Sequence, residues 1–148
     1  MSEYKLSQEI ISLSEANTWD HAKLEWDLDQ IYTTSRSNPK TCLCGHYPIL
    51  EICELLNQEN GNTAIVGKYC VNKFRVKLDR IFRAVDRIRG DITKPLNVET
   101  IAHASNKGWI DEWEKDFYID TWRKRKPSHK QMSRRVKINQ IIIHNMQE

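Results

Sequence analysis

The sequence predicts an α+β fold in which a metal-binding turn, a β-hairpin and a long helix follow one another, with further helices toward the C-terminus. A C-x-C-G motif at residues 42–45 indicates a knuckle, a tight turn that carries two metal-binding thiols, with C-x-C spacing in place of the commoner C-x-x-C. An Asn-Gly pair at 60–61 lies between two apolar runs, which indicates a hairpin. Apolar residues then recur every three or four positions over 68–89, which predicts one amphipathic helix.

The knuckle predicts a zinc site with Cys42, Cys44, His46 and Cys70 as ligands. Zinc in proteins takes about four sulfur or nitrogen ligands in a tetrahedron. Gly45 allows a sharp turn behind the two cysteines, because glycine readily adopts positive φ. Cys70 lies at the start of the predicted helix, where the helix dipole is expected to lower the pKa of a thiol. Together the three elements predict a treble-clef-like zinc knuckle.

The fourth ligand is open at this point. The usual second helix ligand would fall at Lys73, which cannot serve, so His46 takes that role. His21 or Cys53 could replace it, although Cys53 lies in an apolar run and is expected to be a small core residue. The other three cysteines could also be buried thiols without a metal. Their places at turn and helix boundaries favour zinc.

The first part of the chain predicts short elements around this knuckle. Apolar spacing indicates a helix over 6–13, and Thr18 can cap a second, short helix. Residues 26–31 are interpreted as a strand or extended segment, and the hairpin strands are expected at 49–56 and 63–66. We place residues 1–92 in a knuckle, hairpin and helix core with N-terminal helices.

Residues 93–148 are expected to form a C-terminal helical segment packed on the same domain. Asn97 can cap a short helix through Ala104, with Gly108 at its C-terminal end, and Ser128 opens a capping box for the last helix. Between them, residues 109–122 have a helical pattern with a bulky face that contains Trp109, Trp113 and Phe117. Core packing is the expected role of these rings, and an exposed platform for nucleic-acid bases is the alternative.

Composition restricts the classes of protein that fit. The chain of 148 residues is long enough for a real core, and its four cysteines are too few for a disulfide scaffold. The sequence has no basic stretch followed by an apolar segment near its start, so we expect no signal peptide. It also has no run of about eighteen apolar residues, so we expect no membrane-spanning helix. We therefore expect a cytoplasmic protein, host-cytoplasmic if it is encoded by a phage.

The net charge of +3 hides a gradient that points to an anionic partner. Residues 123–137 contain eight lysines or arginines and no acid, and the helix over 68–89 is also rich in bases. A solvated helix surface is the alternative interpretation. The candidate phosphate contacts are the basic residues Lys73, Arg80, Arg83, Arg87, Arg123, Lys124, Arg125, Lys126, Arg134 and Arg135.

The chain resembles a group of small proteins of phages, prophages and bacteria. Their shared pattern is E-W-x-L, C-x-C-G, N-x-x-N-G and V-G-x-x-C-V-x-K-F, found here at 25–28, 42–45, 57–61 and 66–74. The resemblance implies a zinc site and a phage or mobile-element setting, and it implies no mechanism.

No phosphate-binding glycine loop, G-x-S-x-G motif or strand histidine for a His-metal nuclease is present in the sequence. We therefore expect a zinc-stabilised, non-enzymatic nucleic-acid-binding protein. The alternative is a phage-encoded interaction factor, an inhibitor or adaptor that binds a host protein complex.

Overall fold

The computed structural model describes residues 2–146 and has the predicted α+β fold. A three-stranded antiparallel sheet has the order β1 (Trp26–Thr33), β2 (Glu51–Asn57) and β3 (Thr63–Val66). Two α-helices precede it, α1 (Ser2–Ser12) and α2 (Trp19–Ala22), and a 3-10 helix (Lys23–Glu25) leads into β1. Five helices follow, namely α3 (Lys68–Val71), α4 (Val76–Gly90), α5 (Val98–Asn106), α6 (Glu112–Thr121) and α7 (His129–Asn145).

The chain divides into two compact units, the first ending at Asp79 and the second covering Arg80–Met146. The first unit contains the sheet and α1 to α3, the second contains α5 to α7, and α4 crosses the division. A domain boundary after residue 92 stays a prediction. Within residues 2–146, no helix combines the length and the apolar character that a membrane crossing requires.

The sheet places β2 in the middle, and its inward side chains form the core of the first unit. Leu55 pairs with Leu28 of β1 and with Ala64 of β3, and Cys53 pairs with Val66. Cys53 is fully buried, which confirms that it is a core residue. The expected hairpin between β2 and β3 is also confirmed.

The prediction of a single helix over 68–89 is wrong, because residues 72–75 are not helical and separate α3 from α4. At the end of α3 the backbone N–H groups of Lys73 and Phe74 bond three residues back, to Cys70 and Val71, which tightens the last turn. The buried Phe74 ring meets the edge of Trp19 at 5.4 Å between centroids. This contact joins residues more than fifty positions apart in the sequence, and it accompanies the break in the helical pattern.

Local signals set the helix ends in the second unit. The side chain of Asn97 accepts a hydrogen bond from the N–H of Thr100, and Ser128 forms the predicted capping box with Gln131. The helix expected over 109–122 begins later, at Glu112, because Asp111 forms a capping box of its own with Glu114. That D-x-x-E signal is readable in the sequence.

Candidate metal centre and basic surface

Three of the predicted ligands come together. The sulfur atoms of Cys42, Cys44 and Cys70 all lie within 4.8 Å of one another, and each residue is more than nine-tenths buried. All four cysteines of the chain are free thiols. Three thiols at this separation could hold one metal ion, and thiolates are ligands that soft and borderline metals prefer.

The knuckle is shaped by its own backbone. Lys40 and Ile49 exchange two backbone hydrogen bonds of 3.0 and 2.9 Å, which close the loop that carries Cys42 and Cys44. Inside it, the N–H of Gly45 donates to the carbonyl of Cys42 at 2.8 Å, and Gly45 has a φ of +96°. Glycine adopts this left-handed conformation readily, which explains why a glycine occupies position 45, as expected.

Further hydrogen bonds attach the knuckle to the hairpin and to α3. The N–H of Leu43 donates to the carbonyl of Ile65 in β3 at 2.9 Å. The N–H of Gly67, at the start of α3, donates to the sulfur of Cys42 at 3.3 Å. Cys70 lies in α3, whereas Cys42 and Cys44 lie in the knuckle. The cluster of three sulfur atoms therefore connects the knuckle with α3.

The thiols of Cys42 and Cys70 titrate as a pair. The hydrogen bond from Cys70 lowers the pKa of Cys42 to about 5, although burial opposes the shift, and the N–H groups of Cys44 and Gly67 assist it. The same hydrogen bond, together with burial, raises the pKa of Cys70. The lowering of the Cys70 pKa by the helix dipole stays a prediction, and α3 has only four residues.

The cysteine cluster borders a cavity of about 400 Å³, a size typical of small-ligand sites. Among the described residues, the group of close ligand atoms contains the three cysteines, and His46 is not a member. His46 is exposed, yet it lines the same cavity, as does Glu51 at the start of β2. Sequence reasoning missed Glu51, whose signal is an acid directly before the apolar strand that follows the knuckle.

The alternative fourth ligands lie outside the cluster. The ring of His21 is exposed, and its Nδ1 lies 2.9 Å from the hydroxyl of Thr18. Cys53 is buried within β2, where burial raises the pKa of its thiol. Neither residue lines the cavity beside the three cysteines.

The ten predicted phosphate contacts have different surroundings. Arg135 does not belong to an exposed surface, because it is 5% exposed and donates to the carbonyls of Thr93 and Thr121. Arg80 forms a 3.1 Å ion pair with Glu99, and Lys73 is half-buried beside the cysteine cavity. The other seven are exposed, namely Arg83, Arg87, Arg123, Lys124, Arg125, Lys126 and Arg134.

Trp113 is not a core residue, contrary to the expected packing role. It is 58% exposed on α6, and Phe117 stacks against it with ring centroids 5.5 Å apart. The guanidinium of Arg134 lies 5.0 Å from the centre of the Trp113 ring. Trp109, by contrast, is half-buried and meets the ring of His103 at 5.5 Å.

The basic side chains of α7 line a second, smaller depression, which contains His129, Lys130, Arg134 and Lys137.

Comparison of the chain with protein-family models, curated proteins and solved structures finds no match, so the family resemblance stays a prediction.

Proposed function

We propose that this chain is a zinc-stabilised nucleic-acid-binding protein that has no catalytic activity of its own. The observation that carries the proposal is the exposed run of four consecutive cations at residues 123–126, in the connection between α6 and α7. Cations at such a density attract phosphates, and each phosphate contact releases a condensed counterion. The binding is therefore strongly dependent on salt and nearly independent of sequence.

The charge distribution of the second unit limits the contact surface. α6 carries the acids Glu112, Glu114, Asp116 and Asp120, which repel phosphates. We therefore place the phosphate path along the connection 123–126 and the basic residues of α7. Trp113 lies beside that path through its contact with Arg134, and this tryptophan is 58% exposed.

The metal part of the proposal is a structural zinc ion held by Cys42, Cys44 and Cys70. Three thiolates favour zinc over hard ions such as Mg²⁺ or Ca²⁺. The ion joins the knuckle to α3 next to the hairpin, in a treble-clef-like arrangement, and its binding free energy adds to the folding free energy of the first unit. On this proposal the metal stabilises the fold and does not itself contact nucleic acid.

The test is a titration of fluorescent oligonucleotides, single- and double-stranded, at several salt concentrations. In a quadruple variant, residues 123–126 are all changed to Gln. If all four contact phosphates, the slope of log affinity against log salt becomes shallower by about 3, since each contact contributes about 0.7–0.9.

The matched control removes four exposed cations outside the proposed path and outside the cysteine cavity, with Lys5, Arg36, Lys77 and Lys107 each changed to Gln. This control has the same net charge as the test variant, so an equal loss of affinity in both would show a nonspecific charge effect. Wild-type protein that binds neither oligonucleotide at low salt would refute the nucleic-acid proposal.

A protein partner is the second candidate, and one feature of the first unit favours it. Tyr47, Tyr69 and Val76 are 59%, 71% and 68% exposed, and large exposed apolar side chains often mark protein interfaces. Complex formation that withstands nuclease, requires Tyr47 and Tyr69, and ignores neutralisation of residues 123–126 would select this candidate over nucleic acid.

A further inference from the structure

The backbone holds His46 beside the cysteine cluster while its ring is exposed. The N–H of Cys42 donates to the carbonyl of His46 at 2.9 Å, so the two residues are neighbours across the turn. His46 lines the same cavity as the three cysteines. The ring can change its direction by rotation about the side-chain torsions alone.

Glu51 also lines this cavity, and one of its carboxylate oxygens has no hydrogen-bond partner among the described residues. This atom, Oε2, is buried. A buried polar atom left in this state is costly, which calls for an explanation. Histidines that bind metals almost always donate their second ring N–H to a carboxylate, a carbonyl or a water. Glu51 is a carboxylate that lines the same cavity as His46 and the three cysteines.

We propose that a metal ion held by the three cysteines recruits the His46 imidazole as its fourth ligand, and that Glu51 accepts the hydrogen bond from the other ring nitrogen. This inference rests on the proposed zinc site. Glu51 is a positioning residue, because it acts on the metal through His46. The result is a closed set of three sulfurs and one nitrogen, the composition of many structural zinc sites.

The charges of the cavity agree with a neutral fourth ligand. Three thiolates and the Glu51 carboxylate together carry four negative charges. A divalent ion carries two positive charges, and Lys68 and Lys73 also line the cavity. A neutral imidazole adds no charge, whereas a fourth thiolate or a carboxylate would add a further negative charge in a partly buried site.

The first test loads the purified full-length protein with Co²⁺, whose visible bands report its sulfur and nitrogen ligands, whereas zinc has a filled d shell and no such bands. We expect His46→Ala to change the Co²⁺ spectrum. We also expect this variant to bind the metal about 10–100-fold more weakly, as measured by competition with a chelator. Added imidazole should restore the wild-type spectrum. His21→Ala, which removes an exposed histidine outside the cavity, is the matched control and should bind as the wild type does.

The second test asks whether Glu51 acts through His46. Glu51→Ala should weaken metal affinity about tenfold in the wild-type background and less than about twofold in the His46→Ala background. Glu51→Gln, which keeps an oxygen acceptor, should fall between wild type and alanine. An equal loss in both backgrounds would show that Glu51 contributes without His46 and would overturn its positioning role.

The outcomes separate this inference from the proposed function. A His46→Ala variant with the wild-type spectrum and affinity, or one whose spectrum imidazole fails to restore, overturns the recruitment of His46 and leaves a three-cysteine zinc site intact. Wild-type protein that binds neither Zn²⁺ nor Co²⁺ overturns the zinc proposal and this inference together. Oligonucleotide binding is measured separately, so the nucleic-acid proposal stands or falls by its own titration.

Discussion

A single buried carboxylate organises the N-terminal part of the first unit. Glu25 is 9% exposed, and it accepts hydrogen bonds from the N–H groups of Glu15 at 2.8 Å and Ala16 at 2.7 Å and from the side chain of Asn57 at 2.9 Å. Burial by itself raises the pKa of Glu25, but the three hydrogen bonds outweigh burial and hold the pKa below its usual value of 4.5.

This lowered pKa predicts that Glu25 stabilises the fold at neutral pH and not in acid. The contribution is fully present above the unfolded pKa of 4.5 and is lost as the pH falls through the lower folded value. Glu25→Gln places an amide against these donors and should cost about 1–3 kcal/mol at pH 7. Urea unfolding at pH 7 and pH 3 measures this, with the exposed Glu59→Gln as control. An equal cost at both pH values would contradict the prediction.

Adjacent arginines of α7 have opposite roles, and they provide a matched pair of variants. Arg135→Gln leaves the carbonyls of Thr93 and Thr121 without their donor and should lower the free energy of unfolding by about 1–3 kcal/mol. Exposed Arg134→Gln should change stability by less than about 0.5 kcal/mol and should weaken oligonucleotide binding instead. Chemical denaturation and anisotropy titrations separate the two. Equal stability losses would refute the distinction.

At the scale of elements, the cysteine cluster joins the knuckle to α3. Cys70→Ala should abolish metal binding and remove the effect of chelators on the melting temperature, because the metal contributes only to the folded state. Cys53→Ala is the control. It removes a buried thiol of β2 outside the cluster and should cost about 1 kcal/mol while it keeps the metal. Elemental analysis and thermal melts with and without chelator check both. A metal-bound Cys70→Ala protein would contradict the assignment.

The sequence predicts best those elements whose signals are local. The C-x-C-G turn, the Asn-Gly hairpin and the Ser128 capping box each depend on a few neighbouring residues, and the structure contains all three. The meeting of Cys70 with the knuckle also follows from this order of elements, because a hairpin between them returns the chain to the same place.

Features that depend on distant partners could not be predicted. The break between α3 and α4 accompanies the Trp19–Phe74 contact, and the helical pattern carries no trace of it. Arg135 resembles its exposed neighbour Arg134 in sequence, and it is buried because carbonyls of two other segments accept its donors. The sequence predicts core packing for Trp113, which is exposed in the structure. An aromatic side chain gives no local sign of whether its face of the helix is covered, so this exposure could not be predicted.

At the scale of the molecule, the two proposed properties belong to different units. The three cysteines and their cavity lie in the first unit, and residues 123–126 and α7 lie in the second. The second unit has stabilising interactions of its own. Tyr118 donates to Asn139 at 2.7 Å, and Asn139 donates to the carbonyls of Ile92 and Lys94 at 2.8 and 2.9 Å. This buried network requires no metal.

Removal of the metal is therefore expected to act on one unit. In hydrogen exchange of the zinc-loaded protein, a chelator should increase exchange at backbone amides that hold the knuckle, such as those of Leu43 and Gly67. The amide of Leu96, which donates to the hydroxyl of Tyr118, should keep its protection. Tyr118→Phe serves as the converse control, because it should expose Leu96 and leave the knuckle amides unchanged. If the chelator exposes the amides of both units equally, zinc stabilises the whole chain as one cooperative structure and the separation of roles is refuted.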